Sequence, residues 1–313
     1  FQPDMTWLKK RNGLANHHLV DAVRGVGYYV YPNLTNAQGG NGATLLTSFN
    51  SDGFTLDSGA DSNASGATGV GWSWKAGNLS NGTGVSNTDG SITSTVSANT
   101  TSGFSIVKYT GNGTAGATVG HGLGVKPAMI IFKCLSVAGP SWVVYHQSKG
   151  ATYTLYLNET SGGGTSAEML NNTEPTSSLI TLGNGTSSNS SSASTIAYCF
   201  AEKQGYSKFG SYTGNGSADG PFIYTGMKPA FIMIKRTDAA SQWTIYDNKR
   251  LGYNVENSYM FVTNDAEGTG INIDLLSNGF KARQATSNEI NTSGASYIYM
   301  AFGQSIVGTN NVP

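Results

Sequence analysis

The sequence predicts an all-β protein built from tandem antiparallel β-sandwich repeats, jelly-roll-like, of about 100 residues each. Three observations predict it. Glycine contributes 42 of 313 residues, and Ser, Thr and Asn fill much of the remainder. Such a composition disfavours helices, because glycine loses the most backbone entropy and the small polar side chains compete for backbone hydrogen bonds. An aromatic content of 11% supplies cores that a disordered chain would lack. The third observation is that whole blocks of sequence return in a fixed order.

The repeat is read from its blocks. Lys126-Pro127-Ala128-Met129-Ile130-Ile131-Phe132-Lys133 returns as Lys228-Pro229-Ala230-Phe231-Ile232-Met233-Ile234-Lys235, and Gln2 to Lys9 is a looser third copy. Trp142 to His146 matches Trp243 to Asp247, and the first copy has His17 to Asp21 there. Tyr109-Thr110-Gly111-Asn112-Gly113 matches Tyr212-Thr213-Gly214-Asn215-Gly216, and Ser51-Asp52-Gly53-Phe54 matches Ser277-Asn278-Gly279-Phe280. Each copy closes on an aromatic strand preceded by small polar residues that begin at Asn63, Asn189 or Asn291. The domains expected are residues 1–77, a linker or extended loop rich in Gly, Ser, Thr and Asn over 78–103, and repeats at 104–205 and 206–313. The first copy lacks the Tyr-Thr-Gly-Asn-Gly opening, which a longer parent chain is expected to supply.

Within the middle copy the short apolar runs bounded by turn residues predict strands near 104–110, 128–132, 142–146, 153–157, 179–182 and 195–201. In the first of these, Phe104 and Ile106 share one face and Ser105, Val107 and Tyr109 the other. The run Ala128–Phe132 is continuously apolar, which suits burial on both faces or at an interface. Pro127 stands where a strand begins, a place where proline is tolerated. In the linker, Ser91 to Val96 alternates and is able to pair as an edge strand. A β-solenoid would need a period near about 20 residues, far shorter than the repeat found.

Function classes narrow quickly. Lys+Arg and Asp+Glu are equal at 18 each and charged residues are only 12%, so no nucleic-acid partner is expected. No apolar run is long enough for a membrane-spanning helix. Cys134 and Cys199 read as small buried hydrophobes, with one disulfide between them as the alternative. Adjacent His17 and His18 point to opposite faces of a strand and suit one metal poorly. His121 sits alone in a glycine loop, and Asp52, Asp57 and Asp61 read as turn formers before calcium ligands. No phosphate loop, nucleophile elbow or recurrent carboxylate pair is present. No enzymatic activity, metal or cofactor is expected. The candidate glycan or receptor contacts are Tyr28, Tyr29, Tyr31, Tyr153, Tyr156, Tyr253 and Tyr259, because tyrosine offers apolar area and a hydroxyl together. Arg24, Lys149 and Arg250 align across the copies, either as salt bridges or carbonyl contacts inside each repeat or as contacts between neighbours.

The strings Lys126–Lys133 with Ser141–His146, Thr47–Leu56, and Tyr198–Gly216 resemble a repeat domain of virion structural proteins of marine bacteriophages. The resemblance covers nearly the whole chain and carries no catalytic residues. It implies a tail fibre or host-attachment appendage on the virion surface, outside the cell, with a capsid decoration protein or a glycan-binding adhesin module as alternatives. The partners implied are other virion proteins, further copies of the chain in a homotrimer, and a host surface glycan or protein.

Overall fold

The structure, a computed structural model, describes residues 1–40, 45–59, 63–77, 79, 82–250, 254, 256–263 and 265–303. The first repeat holds β1 (Met5–Lys10), β2 (His18–Asp21), β3 (Tyr28–Tyr29), β4 (Gly39–Gly40), β5 (Leu46–Asn50), β6 (Gly53–Leu56) and β7 (Gly69–Trp74). Then come β8 (Val85–Asn87) and β9 (Ser94–Asn99). The second repeat has β10 (Phe104–Thr110), β11 (Thr118–Gly120), β12 (Met129–Cys134), β13 (Val143–His146), β14 (Tyr153–Tyr156), β15 (Gly164–Thr165), β16 (Leu179–Thr181) and β17 (Ser194–Phe200). A single helical turn, α1 (Thr186–Asn189), precedes β17. The third repeat has β18 (Ser207–Thr213), β19 (Phe222–Tyr224), β20 (Pro229–Arg236), β21 (Thr244–Asp247), β22 (Glu256–Phe261), β23 (Gly268–Leu276), β24 (Gly279–Ala282) and β25 (Ser296–Gly303). The six strands expected in the middle copy all form, within two residues of the expected ends.

All named strand pairs are antiparallel, and the repeat returns in the sheets. The order β7-β1-β2 in the first repeat matches β17-β12-β13 in the second and β25-β20-β21 in the third. Register agrees to the residue. Met5 stands opposite Asp21 and Trp74, Met129 opposite His146 and Phe200, and Phe231 opposite Asp247 and Phe302. The opening strands also correspond, with β10 on the outer edge of β17 and β18 on that of β25. The Ser51-Asp52 and Ser277-Asn278 blocks are the hairpin turns joining β5 to β6 and β23 to β24.

Alternation assigns the two faces of each sheet. On β12, Ile130 and Phe132 join a core private to the second repeat with Val107, Tyr109 and Ile180. Met129 and Ile131 face the other way, into a second core with Phe104 and Ile106. The third repeat has a private core around Ile232, Phe280 and Tyr297, and the first a smaller one around Leu8, Val20 and Leu46. The second face of every repeat enters one common cluster holding Trp7, Trp72, Trp74, Trp142 and Trp243. At its centre the equivalent residues Trp74, Phe200 and Phe302 meet as a triangle, with ring centroids 6.2, 5.8 and 5.8 Å apart in edge-on geometry.

Independent tandem sandwiches would each bury their own aromatics, and this holds only for the private cores; all five tryptophans lie in the common one. The reason is that each inner face is as apolar as the outer face, so neither can be left to water. The stretch 78–103, expected to be a linker or extended loop with Ser91 to Val96 able to pair as an edge strand, carries two strands where it is described, and β9 overlaps that segment. β8 and β9 extend the second sheet beyond β10, and Val96 is buried in that repeat's core. Small side chains there signal close packing at an edge, which composition alone confuses with flexibility.

The Tyr-Thr-Gly-Asn-Gly block is held by a buried asparagine. Asn189 Oδ1 accepts from the Asn112 nitrogen at 2.9 Å, while its Nδ2 donates to the Thr114 and Gly183 carbonyls. Asn291 does the same for Asn215, Ser217 and Gln284. The glycine is needed for close approach, since a Cβ at Gly111 would lie 2.4 Å from the Ser190 oxygen and one at Gly214 2.3 Å from that of Thr292.

Candidate functional site

The repeats join head to tail, and the joins are polar. Trp142 of the second repeat donates from Nε1 to the Tyr31 and Leu34 carbonyls of the first, at 2.9 and 3.1 Å. Trp243 of the third donates to the Tyr156 carbonyl of the second at 2.8 Å. The equivalent His17 of the first reaches the Phe261 carbonyl of the third at 2.9 Å. His17 Nδ1 accepts from Trp7 Nε1 at 2.8 Å, so the Nε2 proton is the one donated to Phe261. The ring therefore closes, third repeat back to first. Arg11 reinforces that last join through both oxygens of Glu267, at 2.9 and 3.0 Å.

A second set of joins involves the positions of Asp21, His146 and Asp247. Asp21 Oδ2 accepts from Tyr198 Oη of the second repeat at 2.8 Å. Asp247 Oδ2 accepts from Trp72 Nε1 of the first at 3.1 Å. In the third join His146 replaces the acid and Met300 stands where Tyr198 and Trp72 stand, so His146 Nε2 turns to the Tyr299 carbonyl at 3.1 Å. Acceptor and donor have changed together. Burial pushes His146 down to about 4 and, with Lys9 nearby, His17 down to about 3, so both rings are neutral at pH 7.

The aligned basic residues brace these positions. Arg24 donates from Nε to Asp21 at 2.5 Å and from Nη2 to the Leu19 carbonyl and, at 3.3 Å, to Tyr198 of the next repeat. Arg250 repeats this with Asp247 at 2.6 Å and the Ile245 carbonyl, lies 6.0 Å over the Trp72 ring, and adds Glu267 at 3.0 Å. Burial opposes ionisation of Glu267, but the hydrogen bonds from Arg11 and Arg250 outweigh it and hold the carboxyl below its ordinary value. Lys149 has no acid at His146 and instead lies 4.2 Å over the Tyr153 ring. The aligned lysines Lys133 and Lys235 are also buried and bridge repeats, donating to the Thr35 and Thr160 carbonyls at 3.1 and 2.7 Å. Burial lowers both to about 8. Sequence reading missed these two, although a lysine closing an apolar strand in both copies marks them.

The tyrosines expected to form a contact surface are spread over three repeats and half-buried where described. Tyr29 and Tyr31 pack on His18 at 5.4 and 5.0 Å, with Tyr28 alongside on β3. Tyr153 donates to the Gly162 and Thr237 carbonyls, Tyr156 gives its carbonyl to Trp243, and Tyr259 packs on Phe261 at 4.7 Å. Tyr253 and Asp61 lie outside the described residues. Tyr224 and Phe222 on β19 are the more exposed aromatics, at 64% and 46%. Asp57 accepts from the Ser58 nitrogen as a turn residue does. No group of three or more His, Cys, Asp or Glu side chains converges among the described residues. Cys134 and Cys199 are free, buried thiols.

One concavity stands out, a groove of about 610 Å³ running along β7. Its walls are Trp72 and Trp74 on one side and Phe231, Asp247 and Asn248 of the third repeat on the other. Lys249 and Tyr206 also line it. It combines aromatic walls with a strand edge, which suits an extended polypeptide. No curated protein and no solved structure is significantly similar to the chain. Residues 1–305 match the family model described as a domain of unknown function, DUF7483, and the chain belongs to that family.

Proposed function

We propose that the chain is a non-enzymatic structural component of a phage virion surface, a tail fibre or host-attachment appendage built from tandem sandwich repeats. The observation that carries the reading is the closed ring of three repeats around a common aromatic core. Such a ring gives one chain the threefold arrangement that appendages commonly assemble from three subunits. Several of its titratable side chains are committed to internal hydrogen bonds. His17, His121 and His146 are buried and hydrogen-bonded, and the buried acids Asp21 and Asp247 hold arginines. The resemblance of the repeat strings to phage virion proteins supports the same reading.

Antiserum against the purified chain tests it. Labelling at the tail of intact particles, with blocked adsorption to host cells, is expected; particles that never bind the serum refute the proposal. Light scattering reads the assembly. A mass near one 32.7-kDa chain is expected for a ring that is its own trimer, and three times that mass is the homotrimer expected from sequence.

A further inference from the structure

The groove along β7 lies on the side where the closing strands of the other two repeats carry their opening strands. In the second and third repeats the closing strand is paired on both sides, β17 between β12 and β10 and β25 between β20 and β18. Among the described residues β7 pairs with β1 alone. Its other edge has no strand partner among those residues, and an edge of that kind is a template for a further strand. Exposure records the difference. Val70 is half-buried and Gly71 exposed, whereas the equivalent Ile196, Ala197, Ile298 and Tyr299 are all buried.

Asparagine gives an independent sign. Asn189 and Asn291 are fully buried because each holds the Gly-Asn-Gly that follows an opening strand. Asn63 occupies the same turn, its nitrogen donating to Gly59 as those of Asn189 and Asn291 donate to Gly185 and Ser287. Yet Asn63 is exposed. The walls match too. Phe209 on opening strand β18 lies 6.4 Å from His146 of the preceding repeat, and its carbonyl accepts from Gln147 Nε2 at 2.8 Å. The equivalent positions at the first repeat are Asp247 and Asn248, both of which line the groove.

We propose that the groove is a strand-acceptor slot. Its occupant is a further opening strand of this repeat type, apolar-x-x-Tyr-Thr-Gly-Asn-Gly, laid antiparallel along β7. Both strands of that type in the described chain, β10 and β18, already pair with their own closing strands, so the occupant comes from outside the described residues. The backbone ladder supplies affinity, the apolar residue packs against Trp72, and the Gly-Asn-Gly turn is taken by Asn63.

A fluorescein-labelled peptide of residues 104–114, titrated with the 313-residue chain, tests this by anisotropy. Saturable binding, competed by unlabelled peptide 207–217, is expected. Affinity should drop at least about tenfold when the chain carries Asn63→Ala, an exposed position whose change leaves the fold intact, or when the peptide carries Ile106→Asp. Absence of saturable binding below about 1 mM, or equal affinity with both changes, overturns the proposal. Binding seen only with a chain ending at Gly303 assigns the slot to the chain's own last residues and overturns an outside strand.

Discussion

Tyr198→Phe combined with Asp21→Ala measures whether the first and second repeats are one cooperative body. Tyr198 Oη donates to Asp21 Oδ2 at 2.8 Å, and Arg24 donates to both. The Arg24 and Asp21 side chains are 1% and 0% exposed. Tyr198→Phe keeps the ring stacked on Trp142 and removes hydrogen bonds to two charged groups, Asp21 and Arg24, the shorter of which alone accounts for a loss of about 1.5–3 kcal/mol. Asp21→Ala leaves a buried arginine without its carboxylate, about 3–5 kcal/mol. Because the two share one hydrogen bond, the double variant should lose less than the sum, by about 1–3 kcal/mol. Urea unfolding followed by tryptophan fluorescence reads these differences; with a slope of about 3 kcal/mol/M, a loss of 2 kcal/mol moves the midpoint by about 0.7 M. Single losses that add within about 0.5 kcal/mol, or separate transitions for the repeats, would refute a common core.

Acidification should destabilise the fold between about pH 6.5 and pH 4. His17 and His146 have folded values below the unfolded one, so the unfolded chain takes the proton first and stability is lost as pH falls; a melting temperature flat across that interval contradicts their burial as neutral rings. At the alkaline side the sign is the same, stability again rising with pH. Lys133 and Lys235, lowered to about 8 from 10.5, keep fewer protons folded than unfolded, so stability should rise from pH 8 to about 10.5. Lys133→Met with Lys235→Met should abolish that rise in urea titrations. Asn189→Ala should cost about 2–4 kcal/mol, since it frees several buried backbone groups. Asn63→Ala should stay within about 0.5 kcal/mol by the same measurement, as an exposed side chain does.

The strands were legible because alternation and turn residues are local signals, and the register of the repeats followed from aligning Pro3, Pro127 and Pro229. That Met129-Ile130-Ile131-Phe132 is buried on both faces was legible for the same reason. What covers the second face was not. Leu8, Ile130 and Ile232 enter private cores while Trp7, Ile131 and Met233 enter the common one, and hydrophobicity is identical for both destinations. Half-buried Tyr153 and Tyr156 serve the joins between repeats, a role that a single-repeat view, which treats them as loop residues, does not reveal. The groove left one trace in sequence, the missing Tyr-Thr-Gly-Asn-Gly block, whose meaning needed the neighbouring strands.

Head-to-tail contacts do not stop by themselves. A join that presents one surface forward and a different one backward extends into a filament unless rotation brings the last unit onto the first. Here growth ends at the third step, where Arg11 and Arg250 meet on Glu267, 256 residues from Arg11. The same join is also held by His17 on the Phe261 carbonyl and by Trp72 on Asp247, so both of its faces are occupied within one chain and neither is left for a neighbouring molecule to extend.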